Sequence, residues 1–453
     1  MKNRKTTERD PYRMTTGQML AWNGRGVSLA ANITVLTYLT FFCTNMLGIP
    51  AALTGTLLLA SKVFDGFTDL VAGFIIEKTH TRFGKARPYE FCILGVWLCT
   101  LLLFGCPELG MTGKCIWVFV TYTFVNSIFA TFLSSSDAVY LARAFKYEDD
   151  RIKLASASGI LVMLFCTIVS IVFPILMGTL GTTKGGWIPM IAIFAIPLML
   201  LGMTRFLFCK EVVEVDEKAA TDLKVSDFLE GLRSNKYIYL LFFVGLLTFI
   251  VSNMGNAVGA YYFQYIVGDV TKMSVIGMLG LTSPIVLLFC PLILKKLSIS
   301  QMIMAGGIIG VIGSLIKGFA GANMVLLVIG NLLAVLSVLP LSYFAALLVI
   351  DIMDYHECKT GKRVEAVFGS IYGLSSKLGG GLASGIVGVV MGMTGFDGLA
   401  AAQTDSALNA IVGLYSWVPA VMMAITAVLM LFFDIEKKLP QMKAEYQAKK
   451  EAQ

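Results

Sequence analysis

The chain has 453 residues, 57% of them hydrophobic and 14% charged, with a net charge of +7 and a mean hydropathy of +0.77. Soluble domains carry about 25% charged residues, so the composition excludes a soluble globular protein and implies an all-α protein that crosses a membrane many times. The positive balance needs no nucleic-acid partner, because membrane proteins gather Lys and Arg in their cytoplasmic loops.

The polar, basic start, Met1 to Arg13, has no apolar stretch before a cleavage site, so no removed signal peptide is expected. About 20 apolar residues span a bilayer as a helix. Twelve runs qualify: Gly26–Met46, Ala51–Ile76, Glu90–Cys106, Cys115–Ala142, Leu154–Leu180, Trp187–Phe208, Tyr237–Tyr265, Met273–Leu294, Gln301–Ala320, Met324–Met353, Val367–Met393 and Leu408–Phe433. The nine cysteines mostly fall inside these runs, with no CxxC or metal spacing, and read as small buried hydrophobes.

Alternate connections differ sharply in charge. With Arg25 counted in the first tail and Arg205 in the central linker, thirty of the 36 Lys and Arg lie on one side and three (Lys114, Lys184, Lys272) on the other. The positive-inside rule then puts both termini in the cytoplasm. The longest loop divides the helices six and six, giving halves at 1–208 and 237–434, a linker at 209–236 and a tail at 435–453. A short amphipathic stretch, Val225–Leu232, is expected to lie along the membrane face. Two six-helix halves joined in this way is the layout of the major facilitator superfamily, whose substrate site lies near the midplane. Gly306, Gly307, Gly310 and Gly313 in the ninth run, and Gly379 to Gly381, Gly385 and Gly388 in the eleventh, suit close helix packing.

Charges inside these runs carry the functional signal, because each costs roughly 3 kcal/mol or more at mid-bilayer. The second run holds Lys62, Asp65 and Asp69, spaced to share one helix face, with Thr68 adjacent. Two carboxylates and a hydroxyl suit a hard cation such as Na⁺ or a proton; a self-neutralised packing cluster is the bland alternative. In the fourth run, Asp137 with Ser134 one turn before it could add a third acid and a hydroxyl. Lys377 in the eleventh run lies near mid-membrane and needs an acidic partner, for which the acids of the second and fourth runs are the candidates. Lys317 lies near a helix end and is expected to snorkel outward. Interleaved charge at Asp351, Asp354, Glu357, Arg363 and Glu365, facing Arg82 and Arg87 of the first half, suits either a cytoplasmic gate or an ordinary solvated loop. His80 and His356 read as surface residues with no metal or catalytic role.

Together, Lys62-Val-Phe-Asp65-Gly-Phe-Thr-Asp69 with Arg82-Phe-Gly-Lys-Ala-Arg-Pro88, Asp351-Ile-Met-Asp-Tyr-His-Glu357 with Lys359-Thr-Gly-Lys-Arg363-Val-Glu365, Lys377, and more weakly Phe42-Cys-Thr-Asn-Met-Leu-Gly48 resemble the glycoside–pentoside–hexuronide:cation symporters, the melibiose-permease-like family. The resemblance spans essentially the whole chain. It implies a Na⁺, Li⁺ or H⁺ site at Asp65 and Asp69 with a helix-four acid, for which Asp137 and Ser134 stand if no gap is allowed. Lys377 would interact with the acidic cluster and link cation and sugar occupancy; Lys62, on the face of Asp65 and Asp69, is a second coupling candidate. Asp354, Arg363 and the Arg82–Arg87 loop would belong to the cytoplasmic gate.

The chain departs from the melibiose-type sugar site. Val27 to Asn32 contains no acid, Ala155 to Val169 contains no basic residue, and Leu141 replaces a helix-four Trp. Polar substitutes for sugar contact are Asn32, Asn126, Ser156, Ser158, Asn253, Asn256 and Gln264. The expectation is a monomeric inner-membrane symporter in a lipid bilayer, moving a sugar or glycoside with a monovalent cation and no other cofactor. Alternatives are transport of a non-sugar amphiphile such as a lysophospholipid, or a cation-independent facilitator. With no HExxH and no GxSxG, a membrane-embedded enzyme is disfavoured.

Overall fold

Apolar runs too long and too hydrophobic to stay in water must satisfy their backbone groups internally, and helices do so within one segment. The computed structural model describes residues 12–213, 235–294, 296–360, 365–400 and 402–451. Those residues form helices and no strand, apart from a single Thr81–Gly84 bridge. Ten helices among them are long and apolar enough to cross a membrane. All twelve predicted runs are helical, several extended at an end and several broken internally.

In chain order, the first run is α1 (Thr16–Leu36) and α2 (Leu39–Asn45), parted at Thr37 and Tyr38. The second is α3 (Ala51–Lys78), 28 residues and about 42 Å long. A 3₁₀ turn (Arg87–Phe91) leads into α4 (Cys92–Phe104). The fourth run is α5 (Met111–Thr123), a π-helical turn (Phe124–Ala130) and α6 (Thr131–Ala144). Then come α7 (Glu148–Thr179), α8 (Trp187–Phe208), α9 (Lys236–Tyr265), α10 (Met273–Met278) and α11 (Thr282–Ile293). The chain continues through α12 (Ile299–Ala320), α13 (Met324–Thr360), α14 (Glu365–Met393) and α15 (Asp405–Val412). A second π turn (Gly413–Trp417), α16 (Val418–Leu431) and α17 (Ile435–Glu451) complete it. The Val225–Leu232 stretch lies outside the described residues.

The chain forms two compact units. The first holds Met1–Leu36, Ala60–Val169 and Leu180–Ala220; the second holds Thr37–Leu59, Ser170–Thr179 and Thr221–Gln453. Large apolar side chains such as Ile160, Leu200, Phe319 and Val325 are more than 60% exposed, as befits surfaces solvated by lipid rather than water.

Within the first unit, polar groups tie the helices together. Trp97 Nε1 donates to Ser28 Oγ (2.8 Å), and Asn32 Nδ2 donates to Thr100 Oγ1 (2.8 Å). The Glu211 carboxylate accepts the backbone N–H groups of Lys85, Ala86 and Arg87 (2.8–3.0 Å). This caps the 3₁₀ turn, where a carboxylate neutralises exposed donors. Gly84 is required there because its φ of +116° is a backbone conformation that side-chain-bearing residues rarely adopt.

The second unit is built on close backbone approach. A Cβ on Gly388 would lie 2.6 Å from the Ala51 carbonyl oxygen and from Gly55 Cα, so α3 and α14 touch through their main chains, as small residues permit. Thr44 Oγ1 and the Tyr261 hydroxyl are 2.7 Å apart, and Asn45 donates to the Tyr265 hydroxyl. Pro174 removes a hydrogen bond from the Ser170 carbonyl, four residues earlier. Gly277 packs against that carbonyl, where a Cβ would sit 2.5 Å from the oxygen. Glu436 accepts the N–H groups of Ile299 and Ser300 (both 2.9 Å) and so caps α12.

Three expectations about burial are corrected. Arg25 and Arg205, counted with solvated loops, are 4% and 2% exposed inside α1 and α8. Lys317 does not snorkel: it is 4% exposed, with Nζ 4.6 Å from the Tyr415 ring centroid in the second π turn. His356 is 2% exposed rather than at the surface. The nine cysteines are free and none is exposed.

Candidate functional site

Asp65 is the fifteenth of the 28 residues of α3 and is 5% exposed. A carboxylate desolvated this far must be paired and hydrogen-bonded to remain charged. Lys62, one turn earlier on the same face, places Nζ 3.0 Å from Asp65 Oδ2. The same ammonium lies 3.4 Å from Asn126 Oδ1 and 5.8 Å from the Tyr122 ring centroid. The Ser127 hydroxyl donates to the other carboxylate oxygen, Oδ1, and also contacts the Ser61 carbonyl oxygen (3.2 Å). Thr123 donates to Ser61 Oγ (3.0 Å), extending this polar seam between α3 and the fourth run.

The π turn at Phe124–Ala130 explains why adjacent residues Asn126 and Ser127 both serve this cluster. A π-helix carries one residue more per turn than an α-helix, and such turns recur at functional sites. Asp69 lies one turn beyond Asp65 and is partly exposed. Thr68 turns its hydroxyl back onto the Phe64 and Asp65 carbonyl oxygens (3.1 and 3.2 Å). Lys62, Asp65 and Asp69 together carry one formal negative charge in excess.

Asp137 does not join this cluster. Ten residues separate it from Ser127, about 15 Å along a helix, and both Arg25 and Arg205 bond its Oδ1, Arg205 Nη1 at 2.7 Å. Glu90, fully buried, faces the same pair at 3.7 Å from Arg25 Nε and 3.4 Å from Arg205 Nε. The guanidinium of Arg205 stacks 3.3 Å above the Trp22 ring. Two arginines and two carboxylates thus neutralise each other inside the first unit, so Asp137 acts as their counter-charge. Ser134 is exposed and outside that network. The helix-four groups at the Asp65 cluster are instead Asn126, expected to contact substrate, and Ser127, which the sequence reading missed.

The remaining candidates scatter. Asn32 is 1% exposed and spent on Thr100. Ser156 is exposed and bonds the Ile152 carbonyl oxygen in its own helix (3.0 Å), and Asn253 does the same with Phe249 (2.7 Å). Asn256 and Lys377 lie on exposed faces of α9 and α14. Of the gate residues, Arg82 lies over the neighbouring Phe83 ring (4.7 Å), and Arg87 donates to the Phe206 carbonyl oxygen (2.6 and 2.9 Å). Asp354 pairs with Lys443 of α17 (2.6 Å), one turn from Asp351 and near Glu357 on α13. Arg363 and the side chain of Glu365 lie outside the described residues.

Buried charge of this kind, in helices otherwise apolar, is the mark of an ion or substrate pathway. The comparisons agree. Residues 27–437 match the family model described as MFS/sugar transport protein. The isoprimeverose transporter of Lactiplantibacillus pentosus is 28% identical over 428 residues, covering 92% of this chain and 88% of that protein. An uncharacterized symporter of Bacillus subtilis is 27% identical over 421 residues, covering 89% and 88%. In fold, the crystal structure of a D-xylose–proton symporter superposes with a TM-score of 0.66 at 14% identity, covering 91% of this chain and 96% of that one. These relatives are transporters, in keeping with the expected symporter family and not with an enzyme. The chain therefore belongs to the MFS/sugar transport protein family, as a multi-pass membrane transporter.

Proposed function

We propose that the chain is a cation-coupled symporter that brings a sugar or glycoside across the cytoplasmic membrane by alternating access. The observation that carries the coupling is Asp65, held mid-helix by Lys62, Ser127 and the neighbouring Asn126. A carboxylate is kept in so costly a place when its charge is used. The sugar follows from the relatives, among them one named for isoprimeverose.

In this proposal twelve helices span the membrane, six in 1–208 and six in 237–434, with 209–236 as linker, 435–453 as tail and both termini cytoplasmic. Asp65 and Asp69 bind Na⁺, Li⁺ or H⁺, with Asn126 and Ser127 as the helix-four ligands. Lys377 serves coupling, and the charged loops around Arg82 to Arg87 and Asp351 to Glu365 serve gating at the cytoplasmic face. The protein works as a monomer. Coupling is a difference in affinity: the cation favours the substrate-binding state, and the substrate tightens the cation by the same factor.

One observation favours a second reading, a cation-independent facilitator: Lys62 already neutralises Asp65. Counterflow and gradient-driven uptake in proteoliposomes separate the two. A symporter accumulates sugar against its gradient when a cation gradient is imposed. A facilitator exchanges sugar but never accumulates it, and that result would replace the symport proposal.

A further inference from the structure

Asp65 offers its Oδ2 to Lys62, and Asn126 offers its side-chain carbonyl oxygen to the same ammonium, at 3.0 and 3.4 Å. Tyr122 presents its ring face from the other helix. A carboxylate and an amide carbonyl are the hard oxygen donors that alkali and alkaline-earth cations take. An ammonium is a compact point charge on a flexible four-carbon stem. Lys62 thus makes, from inside the chain, the contacts that a bound monovalent cation would make.

We propose that the Lys62 ammonium is a tethered occupant of the coupling-cation seat, which Na⁺ or Li⁺ must displace in order to bind. This rests on the assignment of Asp65 to cation coupling and adds what controls the ion's affinity. Two features of the site support displacement over co-occupancy. The oxygens a cation would take, Asp65 Oδ2 and Asn126 Oδ1, are the ones the ammonium already holds, so a cation on both must move it aside. Lys62 also has somewhere to go, because its side chain is 23% exposed whereas that of Asp65 is 8% exposed. A competitor that fills the seat for most of the time lowers the apparent affinity of the free ion by the fraction of time the seat is open.

The test measures Na⁺ binding to the purified full-length protein by calorimetry, and by Tm in NaCl against choline chloride, since a bound ligand raises Tm by mass action. Lys62→Met keeps the stem and removes the charge; Lys62→Gln is the second variant. The expected result is an apparent Na⁺ affinity at least fivefold tighter in both variants than in wild type. Adding Asp65→Asn to either variant is expected to abolish the gain. A smaller gain, or a gain that survives Asp65→Asn, overturns the proposal. If neither variant folds, Lys62 is a structural counter-charge and the proposal also falls. Because binding is read without transport, failure of the symport proposal is separately visible: no cation gradient then drives uptake in wild type, whatever Na⁺ does to Tm.

Discussion

Single ionisable residues in this chain fall into two kinds, and burial alone does not sort them. Glu90 is fully buried, yet it belongs to a four-charge cluster that closes on itself with Arg25, Arg205 and Asp137. Removing one member of a buried ion cluster typically costs about 3–5 kcal/mol, because its partners stay buried without compensation. Glu90→Gln is therefore expected to lower Tm in detergent clearly, whereas Glu108→Gln, which breaks only the exposed pair with Lys184, should leave Tm unchanged. Equal effects from the two would contradict the placement of Glu90. Lys317 and Lys377, both within second-unit helices, should separate in the same way. Lys317 lies against an aromatic face in a niche opened by Gly330, and Lys317→Met replaces a buried charge with a hydrophobe of matching length, so folding and uptake should survive. Lys377→Met is expected to cut uptake at least tenfold with Tm unchanged. Similar uptake in the two variants would remove Lys377 from the coupling assignment.

At the level of elements, close backbone contact sets the tolerance of each helix. Gly388→Leu must push α3 away from α14, since even a Cβ there meets main-chain atoms at 2.6 Å; overpacking of this kind costs about 1–3 kcal/mol. Gly373→Ala on the same α14 meets nothing within 4 Å and should be neutral in Tm and uptake. Helix existence was plain from the apolar runs, because composition and length decide it. The Lys62, Asp65, Asp69 face was equally plain, because three and four residues make one α-helical turn. What stayed hidden was the π turn at Phe124–Ala130, whose residues are as apolar as its neighbours'. The search for a helix-four acid in ungapped register with the family pointed to Asp137, whereas the groups at the cluster are the amide of Asn126 and the hydroxyl of Ser127. A clue to Asp137's true partners was present all the same. Arg25, Glu90, Asp137 and Arg205 lie near the same ends of runs one, three, four and six, two of each sign. Assigning both arginines to loops concealed that balance.

Across the whole molecule, the two units repeat a device that the sequence did not show as a repeat. In each, a glutamate just after one helix caps the start of another: Glu211, after α8, on residues 85–87, and Glu436, after α16, on Ile299 and Ser300. The residues around these caps share no obvious motif, since a cap needs only a carboxylate and free N–H groups. Parallel repeats of this kind are the plan of major facilitator halves. The central claim concerns what that plan transports and what drives it. Purified wild type and Asp65→Asn, reconstituted in proteoliposomes, should be given a panel of labelled sugars and glycosides under imposed Na⁺, Li⁺ or H⁺ gradients. Wild type is predicted to accumulate sugar above equilibrium with at least one of these gradients and to lose it on adding the matching ionophore, while Asp65→Asn only equilibrates. Accumulation by Asp65→Asn at the wild-type level, or wild-type uptake indifferent to every cation gradient, would contradict the account.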